Sequence, residues 1–390
     1  MKVLVLGGCG IQGRAALYDL SRKESVVHIT CADIQPELIH SFDFIDTAKI
    51  QTVRLDADDQ TALGSVMGED FDVVLDFLPP RWIRSVAEAA IKSGVNLVNT
   101  NYAYDILDLD LAARKKGICI IPECGLDPGI DLIIYNYSVK YFDKVIKLNS
   151  YCGGIPEKAA CDNPLNYKIS WNLGAVLSSQ QRDATLIADS EIIKIPAKDQ
   201  HDNAFIHHIE YPGLGTLEAI PNGNAEYYAN LLKVSDTLHE SGRYSLRWPG
   251  WSSFWHPLKR FGFLSDVPIQ GLPCEVAPIE MLAKLLEPRL QYKDGEKDLA
   301  VMLNTVEGVR RGKRQRLTCN FVIERDLITG LTAMSMGVAY PACIAAEMIV
   351  WGAITQKGVL SPATDVPCDV FLDQLNMRGI KVNQTIEQLK

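Results

Sequence analysis

The chain opens with Lys2-Val3-Leu4-Val5-Leu6-Gly7-Gly8-Cys9-Gly10-Ile11-Gln12-Gly13. A short apolar run of strand-forming residues stops at glycines, and Ile11–Arg22 then carries apolar residues at helical spacing. Gly8, Gly10 and Gly13 satisfy G-x-G-x-x-G, and the strand before and helix after supply the context that pattern requires. Each glycine has a separate task in this reading: Gly8 makes the tight turn, Gly10 admits a pyrophosphate to the backbone, and Gly13 lets helix and strand pack. The free N–H groups at the helix start, around Ile11 and Gln12, then bind the diphosphate with help from the helix dipole. A bound dinucleotide is the expectation.

The pattern continues outward at a steady spacing. Strands are expected at 2–6, 26–32, 52–55, 72–77, 95–99 and 118–121, with helices between them, clearest at 11–22 and 83–93. Strands alternating with helices of this length imply parallel βαβ units and a doubly wound sheet, and runs such as Val73-Val74-Leu75 suit strands covered on both faces. Asp33 ends the second strand about 20 residues after Gly13, where a carboxylate accepts hydrogen bonds from the adenosine ribose. That carboxylate repels a 2′-phosphate, and Ile34-Gln35-Pro36 brings no arginine, so NAD is expected and NADP disfavoured. Asp56 is placed near the adenine, and Leu78 and Pro79 beside the dinucleotide at the end of the fourth strand.

After about Gly125 the texture changes. Segments 191–196, 205–212, 243–248 and 299–309 mix β-branched and aromatic residues with turn signals, which predicts an α+β domain with a mainly antiparallel sheet. The run Arg310-Arg311-Gly312-Lys313-Arg314-Gln315-Arg316 reads as a basic hairpin turn. From Ala333 an apolar helical pattern begins, expected to be broken by its glycines and prolines and not to span a membrane. The organisation expected is therefore a Rossmann domain over 1–125, a substrate and dimerisation domain over 126–332, and a helical segment over 333–390 that packs back on the first domain.

Composition narrows the function. With 390 residues the chain exceeds what one core usually serves. Its net charge of −9 argues against a general nucleic-acid binder, which needs a positive surface. No signal peptide is visible. Ten cysteines are scattered without a Cys-x-x-Cys pair or zinc-site spacing, so no metal site is expected and reduced thiols in a cytoplasmic protein are.

In an open α/β sheet, ligands lie beyond the carboxyl ends of the strands. Here those ends deliver Phe77-Leu78-Pro79-Pro80, Asn99-Thr100-Asn101-Tyr102 and Glu123-Cys124-Gly125-Leu126-Asp127-Pro128-Gly129. The last resembles the domain-junction motif of the saccharopine dehydrogenase family, in particular the glutamate-forming saccharopine reductases. The likeness continues in order through Ser150–Pro156, Asp162–Trp171, Leu246-Arg247-Trp248-Pro249-Gly250-Trp251 and Leu331-Thr332-Ala333-Met334, covering nearly the whole chain.

The resemblance implies oxidation of a lysine-derived secondary amine to an imine that hydrolyses to an aldehyde and an amino acid, or the reverse. It also implies a homodimer and a small amino-acid substrate, and it carries substrate contacts onto Tyr102, Asp127, Cys152 and Trp171, with Asn166 and Asn222 beside them. Asp127 is the candidate for the substrate ammonium, and Tyr102 and Lys168 for proton transfer. One departure stands out. Where saccharopine reductases carry an arginine after a Pro-Asn pair, this chain reads Pro221-Asn222-Gly223-Asn224. Arg243 or Arg247 is then the candidate to supply the missing charge. Lysine 6-dehydrogenases resemble the chain in length and around Asp369-Val370-Phe371-Leu372-Asp373, and they or another amine or opine dehydrogenase form the second reading. A non-catalytic dinucleotide sensor is the third.

Overall fold

The computed structural model describes all 390 residues, which divide into two compact units. The first comprises Met1–Tyr137 and Ser335–Lys381, the second Ser138–Met334 and Val382–Lys390.

The first unit holds strands β1 (Lys2–Leu6), β2 (His28–Asp33), β3 (Ile50–Arg54), β4 (Val73–Asp76), β5 (Asn96–Asn99) and β6 (Cys119–Ile121). The second holds β7 (Lys144–Pro156), β8 (Ala184–Ala188), β9 (Glu191–Ile195), β10 (His207–Tyr211), β11 (Gly215–Pro221), β12 (Glu240–Arg247), β13 (Asp298–Arg310) and β14 (Lys313–Glu324). Of the last two strands, β15 (Gly358–Val359) joins the first unit and β16 (Asn383–Gln388) the second.

The first sheet runs β15-β6-β5-β4-β1-β2-β3, and every pair is parallel. Read from the other edge this is 3-2-1-4-5-6 with one added strand, the doubly wound order whose crevice binds dinucleotides. All four β4 residues are buried, as a strand covered on both faces requires. Leu4, Leu6, Val74, Leu97 and Ile120 form a core on one face with helix residues Val86, Ala87 and Ala90.

The nine-stranded second sheet is mostly antiparallel, as the sequence suggests, but it is mixed: β7 and β12 run parallel at its centre. The basic run is a two-residue hairpin joining β13 and β14, with Arg311 and Gly312 both at positive φ. Its charge is partly neutralised within the hairpin, where Arg314 and Arg316 pair with the buried Glu307.

Alternation along β12 sends Tyr244 and Leu246 into a core with Tyr151, Ile155 and Leu303. It sends Arg243, Ser245 and Arg247 to the opposite face. There Tyr167, Leu173, Ile220, Trp251 and Trp255 form a second core.

Two expectations are corrected. The apolar segment from Ala333 is one continuous helix, Ala333–Val350, which carries Pro341 in its interior without being interrupted by it. That helix is long and apolar enough to cross a membrane by length and composition, but 83% of it is buried inside the protein. The C-terminal residues also do not all stay with the first unit, since β16 pairs antiparallel with β14 in the second.

Candidate active site

The glycine turn is built from backbone outward. The residue in the left-handed region is Gly7, at φ +70°, so the tight turn falls one position earlier than the motif reading assigned it. Gly8 lies against the Cys31 thiol, and a Cβ there would collide with it. A Cβ on Gly13 would overlap the Gly7 carbonyl and the Gly8 backbone, so this glycine does allow the helix to sit on the turn. The helix Ile11–Ser21 starts at Gly10 with no side chain capping it. Its first N–H groups, from Ile11 to Gly13, are thus offered to a ligand anion, and the cradle fits a dinucleotide diphosphate. Leu78 packs against the Gly7 position, and Pro79 is exposed next to it.

Asp33 stands where the motif places it but is differently employed. One carboxylate oxygen accepts from the Cys9 N–H at 2.9 Å and the other from the Gln35 N–H at 3.0 Å. The carboxylate therefore ties the glycine turn to the end of β2. Asp56 is exposed and accepts from the Asp58 N–H, closing a turn of its own after β3.

Sequence reasoning missed Arg54. In the β2–β3 register it lies opposite Asp33, and its guanidinium donates to the Ile34 carbonyl at 2.6 Å and to Glu37 at 2.9 Å. The only signal for it was strand pairing, since a search of the residues following Asp33 does not reach the next strand.

The strand ends carry a second network that the sequence did not announce. Asp76, buried at the end of β4, accepts from the Leu78 N–H and from the Asn99 side-chain amide. Asn99 in turn accepts from the Asn101 N–H, and Asn101 donates its amide to the Leu78 carbonyl. Burial pushes the Asp76 carboxyl up to about 7, against the lowering effect of those two donors.

Beyond β6, the chain from Gly125 to Gly129 closes on itself: Gly125 donates to the Pro128 carbonyl and Ile130 to the Gly125 carbonyl. Asp127 is half-buried at the tip of that turn, and its bond to Pro128 is cis. Tyr102 is half-buried and stacks on the exposed Tyr104 at 5.6 Å.

In the second unit the sheet gathers several of the expected substrate residues. Cys152 on β7 is buried and pairs in register with Ser245 on β12, two residues before Arg247 on the same face. The Arg247 guanidinium lies 5.1 Å from the Trp251 ring centre and 5.6 Å from that of Tyr167. It donates to the Leu246 carbonyl, its Nε has no partner, and no carboxylate bonds it. Trp171 packs at the edge of the same aromatic core. Asn222 follows β11 and donates its N–H to the Arg243 carbonyl at 2.7 Å.

Arg243 is buried with its guanidinium over the Tyr228 ring, so of the two arginines Arg247 is the one lodged among the expected substrate residues. Asn166 sits at φ +46° in the turn that begins at Asn163.

Lys168 is the exception. Its buried ammonium donates to Glu296 at 2.6 Å and lies 3.1 Å from Asp162. Burial lowers its pKa, but the two carboxylates outweigh that and raise it overall. A lysine held charged by two carboxylates has the surroundings of a structural cation, which speaks against the proton-transfer role the sequence suggested for it.

Comparison with known proteins agrees with this architecture. Residues 125–380 match the family model described as the saccharopine dehydrogenase C-terminal domain, and residues 3–121 match the saccharopine dehydrogenase NADP binding domain. The chain is 26% identical to the NADP(+), L-glutamate-forming saccharopine dehydrogenase of Schizosaccharomyces pombe, with 99% of each chain covered. It is also 26% identical to the mitochondrial alpha-aminoadipic semialdehyde synthase of mouse, covering 98% of this chain but only 47% of that longer protein. Among solved structures, apo saccharopine dehydrogenase (L-Glu forming) from Saccharomyces cerevisiae superposes with a TM-score of 0.85 at 23% identity, over 99% of both chains.

These matches point to NADP and overturn the expectation of NAD, which rested on Asp33. At that position both Asp33 oxygens accept from backbone N–H groups, and the Arg54 guanidinium reaches the same loop from β3.

Proposed function

Because the chain belongs to the saccharopine dehydrogenase family, we propose that this saccharopine-type oxidoreductase oxidises saccharopine, or a closely related secondary amine derived from lysine, with NADP. The amine loses its N–H proton and the neighbouring carbon its hydride. Water then cleaves the resulting imine to an aldehyde and an amino acid, and the reverse direction uses the same steps. NADP, when bound, accepts that hydride. The observation that carries the substrate reading is Arg247, a guanidinium set among aromatic rings beside Cys152 with no carboxylate of the protein attached. Such a group is a ready anchor for a substrate carboxylate.

The remaining roles follow from the chemistry. The glycine cradle holds the diphosphate. Asp127, on a turn fixed by two backbone hydrogen bonds, holds the substrate ammonium or takes the amine proton through water. Arg54 contributes its guanidinium to the 2′-phosphate, exchanging its present bonds to Ile34 and Glu37 for a charge-assisted pair.

The test is reduction of NADP by the purified protein with saccharopine and L-lysine offered in parallel. Saccharopine turnover is expected; turnover of lysine alone would replace this reading. Asp127→Asn should lower kcat by about 100-fold or more while NADPH affinity holds. Arg54→Ala should weaken NADPH by roughly tenfold and leave NADH affinity unchanged in a fluorescence titration. Equal losses for both nucleotides would remove Arg54 from the 2′-phosphate.

A further inference from the structure

The helix Trp251–Arg260 hides a second cation in the second unit. Lys259 is buried at 7% exposure, and its ammonium donates to the Ala197 carbonyl at 2.8 Å and to the Gln200 side-chain oxygen at 3.1 Å. Gln200, itself buried, donates its amide to the Pro221 carbonyl at 2.9 Å. The ammonium is therefore one side chain away from the bend Pro221-Asn222-Gly223.

Nothing negative in the protein neutralises it. Asp199, the nearby carboxylate, bonds Arg260 at 2.8 Å. Glu218 spends both oxygens on the N–H groups of Gly250 and Ser252.

The surroundings are short of acceptors in the same way. The buried ring nitrogens Nδ1 of His201 and His256, Nε of Arg247 and the indole N–H of Trp255 all lack partners. His201, next to Gln200 in the chain, is pushed down to about 2 by burial first and then by the charges of Lys259, Arg247 and His256, each of which is within electrostatic reach of this ring. Buried cations and unpartnered polar groups clustered without a counter-charge are costly. An anion that enters them removes the cost.

We propose that Lys259, oriented by Gln200, forms with Arg247 a subsite for a second carboxylate of the substrate, so that dicarboxylic and tricarboxylic amines are selected over monocarboxylic ones. Gly223 leaves the adjoining bend without a side chain, and Gln200 links the ammonium to that bend through the Pro221 carbonyl. The inference rests on the amino-acid substrate reading above, but its test does not require turnover.

Trp251 and Trp255 lie in the same cluster and report binding by fluorescence. The full-length protein, saturated with NADPH, is titrated with glutarate and separately with valerate, a monocarboxylate of equal chain length. The wild type should bind glutarate about tenfold more tightly or better. Lys259→Met should erase that preference without changing NADPH affinity, and Gln200→Leu should reduce it. An unchanged preference in Lys259→Met, no preference in the wild type, or a parallel loss of NADPH binding in the variant would each overturn the subsite. Saccharopine turnover by the wild type, measured separately, decides the underlying reading.

Discussion

Arg378 in the first unit and Lys259 in the second are both withdrawn from water, but only one is neutralised. The Arg378 side chain, 3% exposed, donates Nε to both oxygens of Asp19 and Nη2 to Glu347, and its Nη1 bonds Gln374. Burial lowers its pKa, yet the charges of Asp19 and Glu347 more than reverse this and raise it. Every donor direction of the planar guanidinium meets an acceptor, as a cation with a purely structural task requires. Lys259 is held only by neutral oxygens, a backbone carbonyl and an amide. The difference separates a cation that completes the fold from one that waits for a ligand.

Arg378→Met should have the largest effect, because it strands two carboxylates, Asp19 and Glu347, that are almost wholly buried. Leaving a buried charge uncompensated costs about 3–5 kcal/mol, measurable as a loss of unfolding free energy in urea. Asp19→Asn with Arg378→Met should recover part of that loss. A cost below about 1 kcal/mol would mean the carboxylates reach water after all, and the contrast with Lys259 would fail from this side.

Asp76 is the anionic counterpart, a buried carboxylate with donors around it but no cation. Its folded pKa, raised by burial to about 7, exceeds its unfolded value of 3.8, so the folded state binds the proton more tightly. This group favours folding fully below about pH 4. Its contribution falls as pH rises from there through about 7, and is constant above. The change amounts to roughly 2–4 kcal/mol. Asp76→Asn should flatten that part of the stability–pH profile in thermal denaturation. If the slope survives, another group titrates in its place, and the Asp76–Asn99–Asn101 network is charged at neutral pH.

The sequence made the regular, locally patterned parts legible and hid the rest. Glycine spacing and strand–helix alternation located the glycine turn and six strands of the first sheet, because both are local signals with a fixed period. The central strand β7 was missed as an element: Gly153 and Gly154 interrupt its pattern, and they are there because Leu246 and Met334 fill the space beside them. Strand β16 is exposed along its whole length and offers no apolar alternation at all. Arg54 and Lys259 were hidden for a different reason. Each acts through a partner far away in sequence, Asp33's loop in one case and Gln200 in the other, and a lysine in Leu258-Lys259-Arg260 looks like any solvated helix end. Lys168 misled in the opposite direction, since its two carboxylates, Asp162 and Glu296, are set by the tertiary fold alone.

The smallest predicted effect is also the one with an unusual sign. Lys259 is pushed down to about 8, chiefly by burial, with Asp199's charge countering only part of the shift. Replacing it with methionine, similar in length and uncharged, should therefore stabilise the protein at pH 7 by at most about 1–2 kcal/mol, because the Ala197 and Gln200 oxygens left without their donor offset part of the gain. That is the reverse of Arg378→Met at the same pH, and the two variants should move the melting temperature in opposite directions. Ligand linkage sharpens the point. Glutarate at a large excess over its Kd should raise the melting temperature of the wild type, because an anion bound only to the folded state contributes RT ln(1 + [L]/Kd). The same addition should leave Lys259→Met nearly unmoved. Destabilisation by Lys259→Met without glutarate would show that the ammonium is a structural cation like Arg378, and the distinction between the two sites would collapse.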